Sequence, residues 1–385
     1  MNKYSIVLKL FAYLLFFSFT ENIYAQPIFK SGQDPIPDGK KWVKSEDLSD
    51  EFDGSSLDES KWENTNPNRW IGRAPGIFKK DVVSLGAGKL MLTNYLLAEP
   101  EVVNGQTFTH AGGNLYSRKS GEVGYYYECR MKANKTFMSS TFWLINTRGE
   151  GSGCDQRTTE LDIQECVGQI TTTAQWAQNF DNAMNSNTHS RNTTCNETPT
   201  GSQGGKTSTN QKVWEEYHVY GAWWKSPSEI EFYLDGEKVH TARPAADFDL
   251  PMYLRLVTET YNWNPVPEDG GMNGSAEDRT TYYDWVRVWK LEDDASTNST
   301  GYMNSKNSIY IYPNPSSDGF FTVETKNYLV ASAQVRVFNM SGQLLYEDEF
   351  SEKQKTIPLR HFSKGMYVVE LRSELGVQRR KLLVE

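Results

Sequence analysis

The fold class is indicated most directly by Phe232-Tyr-Leu-Asp235-Gly236-Glu-Lys-Val239, two short β-type runs separated by an Asp-Gly pair. Asp-Gly favours the two-residue turn of a β-hairpin, because both residues tolerate a positive φ. Similar short runs, separated by Gly, Asn and Pro, continue on both sides of this hairpin without a sustained helical period. Examples are residues 89–93, 124–132, 140–145, 217–224, 253–259 and 282–289. This spacing predicts an all-β sandwich, in which two sheets bury alternating side chains against each other.

The 385-residue chain is long enough for two domains. Residues 1–25 are typical of a secretory signal peptide, because the apolar run 10–19 is too short to span a bilayer as a helix. The expected main domain covers residues 26–291. A polar linker follows at 292–308, with too little apolar content to fold. Residues 309–385 form a second, smaller β unit.

Charge and composition exclude some classes of partner. The formal net charge is -9 and the basic residues are dispersed, which argues against nucleic acid. No later segment is apolar and long enough to be transmembrane. Aromatic residues make up 13% of the chain, with 11 Trp. Several Trp lie beside Gly, Asn or Arg, where an indole can stack on a sugar ring, although most of these rings are expected to fill the core.

The four cysteines are Cys129, Cys154, Cys166 and Cys195. In an exported chain they could form disulfides, and three pairings exist that the sequence does not distinguish. A free, buried Cys129 or Cys166 within a strand is an equally good interpretation. The spacing matches no zinc pattern, so thiolate ligation of a metal is not expected.

Three carboxylates crowd the segment Arg157-Thr-Thr-Glu160-Leu-Asp162-Ile-Gln-Glu165-Cys166. In a regular strand Glu160 and Asp162 share a face and Glu165 points to the other. One extra residue between Asp162 and Glu165, a β-bulge, would bring all three to one surface. A retaining glycosidase needs two carboxyl groups roughly 5 to 5.5 Å apart, one ionised and one protonated, which such strand neighbours can supply. A solvated acidic strand edge or a calcium site is the alternative interpretation.

The pattern Glu-x-Asp-x-x-Glu resembles the catalytic signature of glycoside hydrolase family 16. Further matching segments are Ser49-Asp-Glu-Phe-Asp53, Gly124-Tyr-Tyr-Tyr-Glu128, Phe142-Trp-Leu144 and Asp284-Trp-Val-Arg-Val288. The resemblance implies a concanavalin-like β-sandwich, or jelly roll, with an open cleft. It also implies Glu160 as nucleophile, Asp162 as its assistant and Glu165 as acid/base.

The loop Arg69-Trp70-Ile-Gly-Arg73-Ala-Pro-Gly76 places an indole and a guanidinium three residues apart. Arg offers a planar fork that suits a sulfate ester. The alternative interpretation is a core Trp beside an Arg that pairs with a carboxylate. The loop resembles that of the porphyranase branch, which implies an endo-hydrolase of β-1,4 galactosidic bonds in sulfated red algal galactan. The alternatives are a β-agarase, a lichenase or laminarinase, and a non-catalytic carbohydrate-binding sandwich. By resemblance, the other expected substrate-binding residues are Trp143, Asn187, His189, Glu259 and Trp263.

The tail resembles the C-terminal sorting domain of the type IX secretion system. The matching motifs are Tyr312-Pro-Asn-Pro315, Val337-Phe-Asn-Met-Ser-Gly342, Lys364-Gly-Met-Tyr-Val368 and Lys381-Leu-Leu-Val384. This resemblance implies the type IX machinery as partner and a secreted or cell-surface location, reached through the periplasm. The alternative, a carbohydrate-binding module, is disfavoured because the tail contains no Trp. No organic cofactor is expected. A structural calcium ion occurs in many relatives of the family, but no ligands for it can be identified in the sequence.

Overall fold

The computed structural model describes residues 26–147, 153–196, 198–294, 309–314, 316, 319–325, 333–351, 353–358, 362–373 and 376–384. The predicted signal peptide at 1–25 and most of the predicted linker at 292–308 lie outside these residues. The chain divides into two compact units, one formed by residues up to Gln33 and Trp42–Lys290, the other by Asp34–Lys41 and Leu291–Glu385. Across the described ranges, no helix is long and apolar enough to cross a membrane.

The first part of the chain consists of strands of 3 to 16 residues that are joined by loops. In chain order they are β1 (Lys40–Lys44), β2 (Trp62–Asn64), β3 (Gly76–Phe78), β4 (Val83–Gly86), β5 (Lys89–Thr93), β6 (Tyr95–Val103), β7 (Gln106–Gly121), β8 (Tyr126–Lys132), β9 (Ser139–Ile145), β10 (Thr158–Val167), β11 (Ala183–Arg191), β12 (Gly201–Ser208), β13 (His218–Ser226), β14 (Glu229–Leu234), β15 (Glu237–Ala242), β16 (Met252–Thr258) and β17 (Thr280–Asp293). Short 3-10 helices lie at Lys80–Val82, Gly153–Asp155 and Gln175–Ala177.

These strands form two sheets. One has the order β15-β14-β13-β8-β17-β5-β4, with β1 also paired to β17. The other has the order β12-β11-β10-β9-β16-β7-β2, with β3 and β6 also paired to β7. A single apolar core contains residues of both sheets, among them Leu92 and Met131 from the first and Phe142 and Leu161 from the second. The predicted all-β sandwich is confirmed.

The Asp-Gly hairpin has the predicted geometry. β14 and β15 pair antiparallel on either side of Asp235 and Gly236, whose φ angles are 49° and 77°. Two successive positive φ angles are the signature of the type I′ turn, which matches the twist of the flanking strands. Alternation then buries Ile230, Phe232 and Leu234 in the core, because successive side chains of a strand point to opposite faces.

The second unit is a small β-sandwich, as predicted. Its strands are β18 (Ile309–Tyr312), β19 (Phe320–Thr325), β20 (Ala333–Asn339), β21 (Leu344–Phe350), β22 (Gln354–Pro358), β23 (Gly365–Ser373) and β24 (Gly376–Val384). They form the sheets β18-β19-β22 and β21-β20-β23-β24. The unit has an apolar core of its own, with Val323 and Ile357 from one sheet and Val335 and Val369 from the other.

Cys154 and Cys195 form a disulfide, while Cys129 and Cys166 are free and buried. The disulfide joins the segment before β10 to the segment after β11, which are neighbouring strands. The interpretation of Cys129 and Cys166 as free, buried residues within strands is therefore confirmed, and the disulfide links the segments that flank β10 and β11.

Candidate active site

A β-bulge in β10 brings the three carboxylates together. The consecutive residues Trp143 and Phe142 of β9 pair with Asp162 and Gln164, so Ile163 is the extra residue. The pattern is driven by burial, since Leu161, Ile163 and Cys166 all enter the apolar core. Skipping one position reverses the alternation beyond Asp162, and Glu165 turns to the face that carries Glu160 and Asp162. The predicted bulge is thus present.

These carboxylates lie on the floor of a cavity of about 340 Å³. Its lining consists of Trp70, Arg73, Thr141, Trp143, Ile145, Glu160, Asp162, Glu165, Arg191, Arg255, Glu259 and Tyr261. The floor follows from strand alternation, because residues two apart on a strand share a face. On β9 this rule selects Thr141, Trp143 and Ile145, whose neighbours Phe142 and Leu144 enter the core.

Glu160 is held by a guanidinium. Arg191 at the end of β11 donates from Nη1 to Oε1 at 3.2 Å and from Nη2 to Oε2 at 2.5 Å. This two-point geometry fixes the carboxylate in one orientation and balances its charge. The sequence analysis did not identify Arg191, although it selected Asn187 and His189. Asn187, His189 and Arg191 are each two residues apart on β11, so their side chains share one face of the strand.

Asp162 lies between the two glutamates and is buried. Burial, followed by the neighbouring charge of Glu160, raises the pKa of Asp162 well above its usual range. His189 of β11 faces it, with Nε2 3.1 Å from Oδ2, and the other ring nitrogen lies 2.5 Å from the Ser202 hydroxyl. His189 therefore contacts the Asp162 carboxylate and is held in place by β12.

The environment of Glu165 favours its protonated form. Desolvation in the cleft, together with the charge of Asp162, raises its pKa to about 8. The Tyr261 hydroxyl donates to Glu165 Oε1 at 2.8 Å. Tyr261 is a second residue that the sequence analysis did not select. Chain position gave no signal for this contact, since 96 residues separate the two partners.

The loop with Trp70 and Arg73 forms one wall of the cavity. Thr260 fastens it, because its hydroxyl bonds to the Arg73 carbonyl and accepts from the Gly76 amide. The Trp70 ring packs edge-on against Phe78 at 4.8 Å and lies 6.3 Å from the Trp143 ring.

Glu259 lies on the same wall and pairs with Arg73, whose Nε is 3.0 Å from Glu259 Oε2. The Arg73 side chain is 44% exposed and that of Glu259 only 7%. Burial therefore raises the pKa of Glu259 to about 7. The wall thus presents a partly exposed cation backed by a buried acid.

Of the expected substrate-binding residues, Trp70, Arg73, Trp143 and Glu259 line the cavity with the three carboxylates. Asn187 lines a second cavity of about 320 Å³, which shares Glu165 with the first. Trp263 lines neither cavity. Its ring stacks on Tyr261 at 5.1 Å, so its link to Glu165 runs through that phenol. Arg255, which lies over the Trp143 ring at 5.9 Å, is a further lining residue that the sequence analysis did not select.

In the parts of the chain that the structure describes, one group of acidic and histidine side chains could hold a metal ion: Glu160, Asp162 and His189, whose ligand atoms lie within 4.8 Å of one another. Both Glu160 oxygens already accept from Arg191. A cation there would compete with that guanidinium.

Comparison with known proteins assigns a family to each part of the chain. Residues 42–291 match the family model of the GH16 domain of beta-porphyranases A–D, and residues 310–385 match the secretion system C-terminal sorting domain. Beta-porphyranase B of Zobellia galactanivorans is 56% identical over 269 residues, which cover 69% of this chain and 91% of that relative.

The fold of this chain is also similar to that of solved structures. The crystal structure of porphyranase B from Zobellia galactanivorans superposes with a TM-score of 0.67 over 69% of this chain and 99% of that one. The beta-porphyranase BpGH16B of the human gut bacterium Bacteroides plebeius is 35% identical, with a TM-score of 0.60 over 67% of this chain and 95% of its own. The chain therefore belongs to glycoside hydrolase family 16, in the group of the beta-porphyranases, and carries a type IX sorting domain that indicates export.

Proposed function

We propose that this chain is a retaining endo-hydrolase that cuts β-1,4 galactosidic bonds in porphyran. The observation that carries the proposal is the convergence of Glu160, Asp162 and Glu165 in one cavity whose wall presents Trp70 and Arg73. The similarity to relatives named beta-porphyranase supports the same substrate. A non-catalytic sugar-binding protein would gain nothing from three crowded acids, whose mutual repulsion costs stability.

Glu160 is the proposed nucleophile. Arg191 fixes its two oxygens, so that one lone pair is directed at the anomeric carbon of a sugar held against the Trp143 indole. Attack forms a covalent glycosyl ester and expels the leaving sugar. Asp162 and its partner His189 lie beside Glu160 and adjust the local charge as the ester forms and breaks.

Glu165 is the proposed acid/base. With a pKa of about 8 it is mainly protonated at neutral pH, and it can donate that proton to the leaving oxygen. The resulting carboxylate then removes a proton from water, which hydrolyses the glycosyl ester from the same face. No organic cofactor is needed, because these two side chains supply the nucleophile and every proton.

Arg73 is the proposed contact for a sulfate ester. Its guanidinium is partly exposed at the cavity wall beside the Trp70 indole, so one sugar unit can stack on the ring while its ester meets the cation. Buried Glu259 holds the Arg73 side chain in this position. The alternative is a β-agarase that acts on unsulfated agarose. Such an enzyme would not need the exposed part of the Arg73 guanidinium, because its substrate carries no sulfate ester.

Replacing Arg73 with methionine is expected to lower kcat/KM for porphyran by roughly 10- to 100-fold, since charge-assisted hydrogen bonds are worth about 1.5 to 3 kcal/mol. The effect on unsulfated agarose is expected to be much smaller. The measurement is the release of reducing ends from both polymers. The Arg73→Lys variant tests the geometry separately, because lysine retains the charge but lacks the planar guanidinium.

Arg69→Met is the matched control for this substitution, because Arg69 lies in the same loop but packs over the Tyr116 ring instead of lining the cavity. Wild-type protein that releases oligosaccharides from agarose but not from porphyran would contradict the porphyranase assignment.

Replacing Tyr261 with phenylalanine is expected to move the alkaline limb of the activity profile to higher pH. The wild-type limb should fall near pH 8, because activity requires protonated Glu165 and is lost as pH rises through its pKa. The Tyr261 hydroxyl stabilises the ionised form of Glu165, so its removal raises that pKa. The measurement is kcat/KM against pH on one soluble oligosaccharide. An unchanged limb would show that Glu165 does not set it.

A further inference from the structure

The cleft continues beyond the catalytic carboxylates into a second cavity. Glu165 lines both cavities, whereas Glu160 and Asp162 line only the first. The other residues of the second cavity are Asn185, Ser186, Asn187, Ser202, Gly204, Gly205 and Lys206. A retaining mechanism places the nucleophile under the sugar that it attacks and the acid beside the departing oxygen. A cavity shared with the acid alone therefore lies on the side of the leaving group.

One residue of this second cavity contacts a residue that carries an exposed indole. Trp176 lies on the short 3-10 helix Gln175–Ala177 and is 54% exposed, although large apolar side chains are usually covered. Its backbone carbonyl accepts a hydrogen bond from the Lys206 ammonium group, and Lys206 lines the second cavity. The indole and the cavity are thus joined by one side chain.

A series of ring contacts connects the Trp176 indole to Glu165. The Trp176 ring packs edge-on against Trp263 at 5.0 Å, and Trp263 stacks on Tyr261 at 5.1 Å. Tyr261 in turn bonds to Glu165. The Trp176 ring is therefore linked to Glu165 through Trp263 and Tyr261. This packing holds the exposed ring in place relative to the proposed acid/base.

The segment that carries Trp176 is fastened on both sides. Asn264 accepts from the Thr171 amide at 2.7 Å and donates to the Gln169 carbonyl at 2.9 Å. The Gln178 side chain donates to the Thr172 and Ala174 carbonyls. Such anchoring leaves little conformational entropy to lose when a ligand covers the indole, which favours binding.

We propose that the second cavity and the Trp176 indole together bind the leaving-group end of the galactan chain, with Lys206 meeting a sulfate ester there. This inference rests on the proposed hydrolase function and extends it to the far side of the scissile bond. Lys206 is the one basic residue among the described residues that line this cavity, and it is exposed, with its ammonium group over the Phe180 ring. A sugar face stacks on the indole while an anionic ester on the same chain reaches the ammonium group.

Replacing Trp176 with alanine tests the stacking site. We expect kcat/KM on polymeric porphyran to fall roughly five- to tenfold, which is the upper part of the range that one aromatic contact contributes. The loss should shrink to less than about twofold on an aryl glycoside, whose small leaving group cannot reach the indole. Val102→Ala is the control, because Val102 is 70% exposed on β6 and lines neither cavity. Unchanged unfolding midpoints would exclude a folding defect.

Replacing Lys206 with glutamine tests the ester contact. We expect a loss of roughly fivefold or more on native porphyran and of less than about twofold on chemically desulfated polymer, with Lys206→Arg restoring the native value. Equal losses on both polymers would overturn the ester contact. For Trp176→Ala, equal losses of kcat/KM on the polymer and on the aryl glycoside would overturn the leaving-group site. Cleavage of porphyran by the wild-type protein would still support the proposed hydrolase function in that case. No cleavage of any galactan by the wild type would overturn both.

Discussion

Replacing Glu160 with glutamine is expected to lower kcat for porphyran hydrolysis by at least about a thousandfold, the scale of effect seen when an enzyme loses its nucleophile. The amide keeps the size of the carboxylate and can still accept one hydrogen bond from Arg191 through its oxygen, but it cannot form the glycosyl ester. Reducing-end release under saturating substrate measures the loss. KM should change little, because Glu160 contributes more to the transition state than to ground-state binding.

Two further variants sharpen this result. Glu237→Gln is the matched control, since Glu237 is half-exposed and pairs with Lys30 at the surface. The smaller Glu160→Ala variant leaves room for azide beside the anomeric carbon. If Glu160 is the nucleophile, azide should replace it there and yield an α-glycosyl azide. Glu160→Gln protein with wild-type kcat would remove the assignment altogether.

Replacing Glu165 with glutamine is expected to lower kcat/KM on the polysaccharide by about 10²- to 10⁴-fold, the usual contribution of a positioned general acid. The loss should be far smaller for the first step with an aryl glycoside, because a good leaving group departs without a proton. The fall in activity near pH 8 should also vanish, since the group with that pKa is gone. A burst of released phenol, followed by slow turnover, is the kinetic signature.

Gln164 offers a neighbouring control. Its side chain lies on the opposite face of β10, where it donates to the Ala183 carbonyl and accepts from the Asn185 amide. Gln164→Glu is expected to destabilise the fold by burying a charge without producing the leaving-group dependence of Glu165→Gln. Equal losses on polymer and aryl glycoside in the Glu165 variant would assign Glu165 a structural role instead.

Local sequence signals predicted the fold well, because strands and tight turns depend on residues that are near one another in the chain. The Asp-Gly turn between β14 and β15 is the clearest instance. The bulge in β10 was predictable for the same reason. Apolar Leu161, Ile163 and Cys166 must all reach the core, and only one extra residue allows that while three acids stay on the cleft side.

The residues that complete the cavity were harder to predict, because their partners are far away in the chain. Arg191 meets Glu160 across 31 residues, and Tyr261 meets Glu165 across 96. For Arg191, the period of two on β11 was the one local signal, and for Tyr261, which follows the end of β16, no local pattern separates a cleft residue from an ordinary core residue. The Cys154–Cys195 disulfide is similar, since its ends meet only because β10 and β11 pair.

By itself, the sequence determined the all-β class, the order of the strand-like runs, the bulged carboxylate segment and the separate export tail. These features depend on alternation, turn chemistry and motif spacing, which act over a few residues. The tertiary structure alone decided that Arg191 fixes Glu160, that Tyr261 contacts Glu165, and that Lys206 of a second cavity bonds to the exposed Trp176. Sheet pairing sets these distances, because it joins residues that no local rule connects.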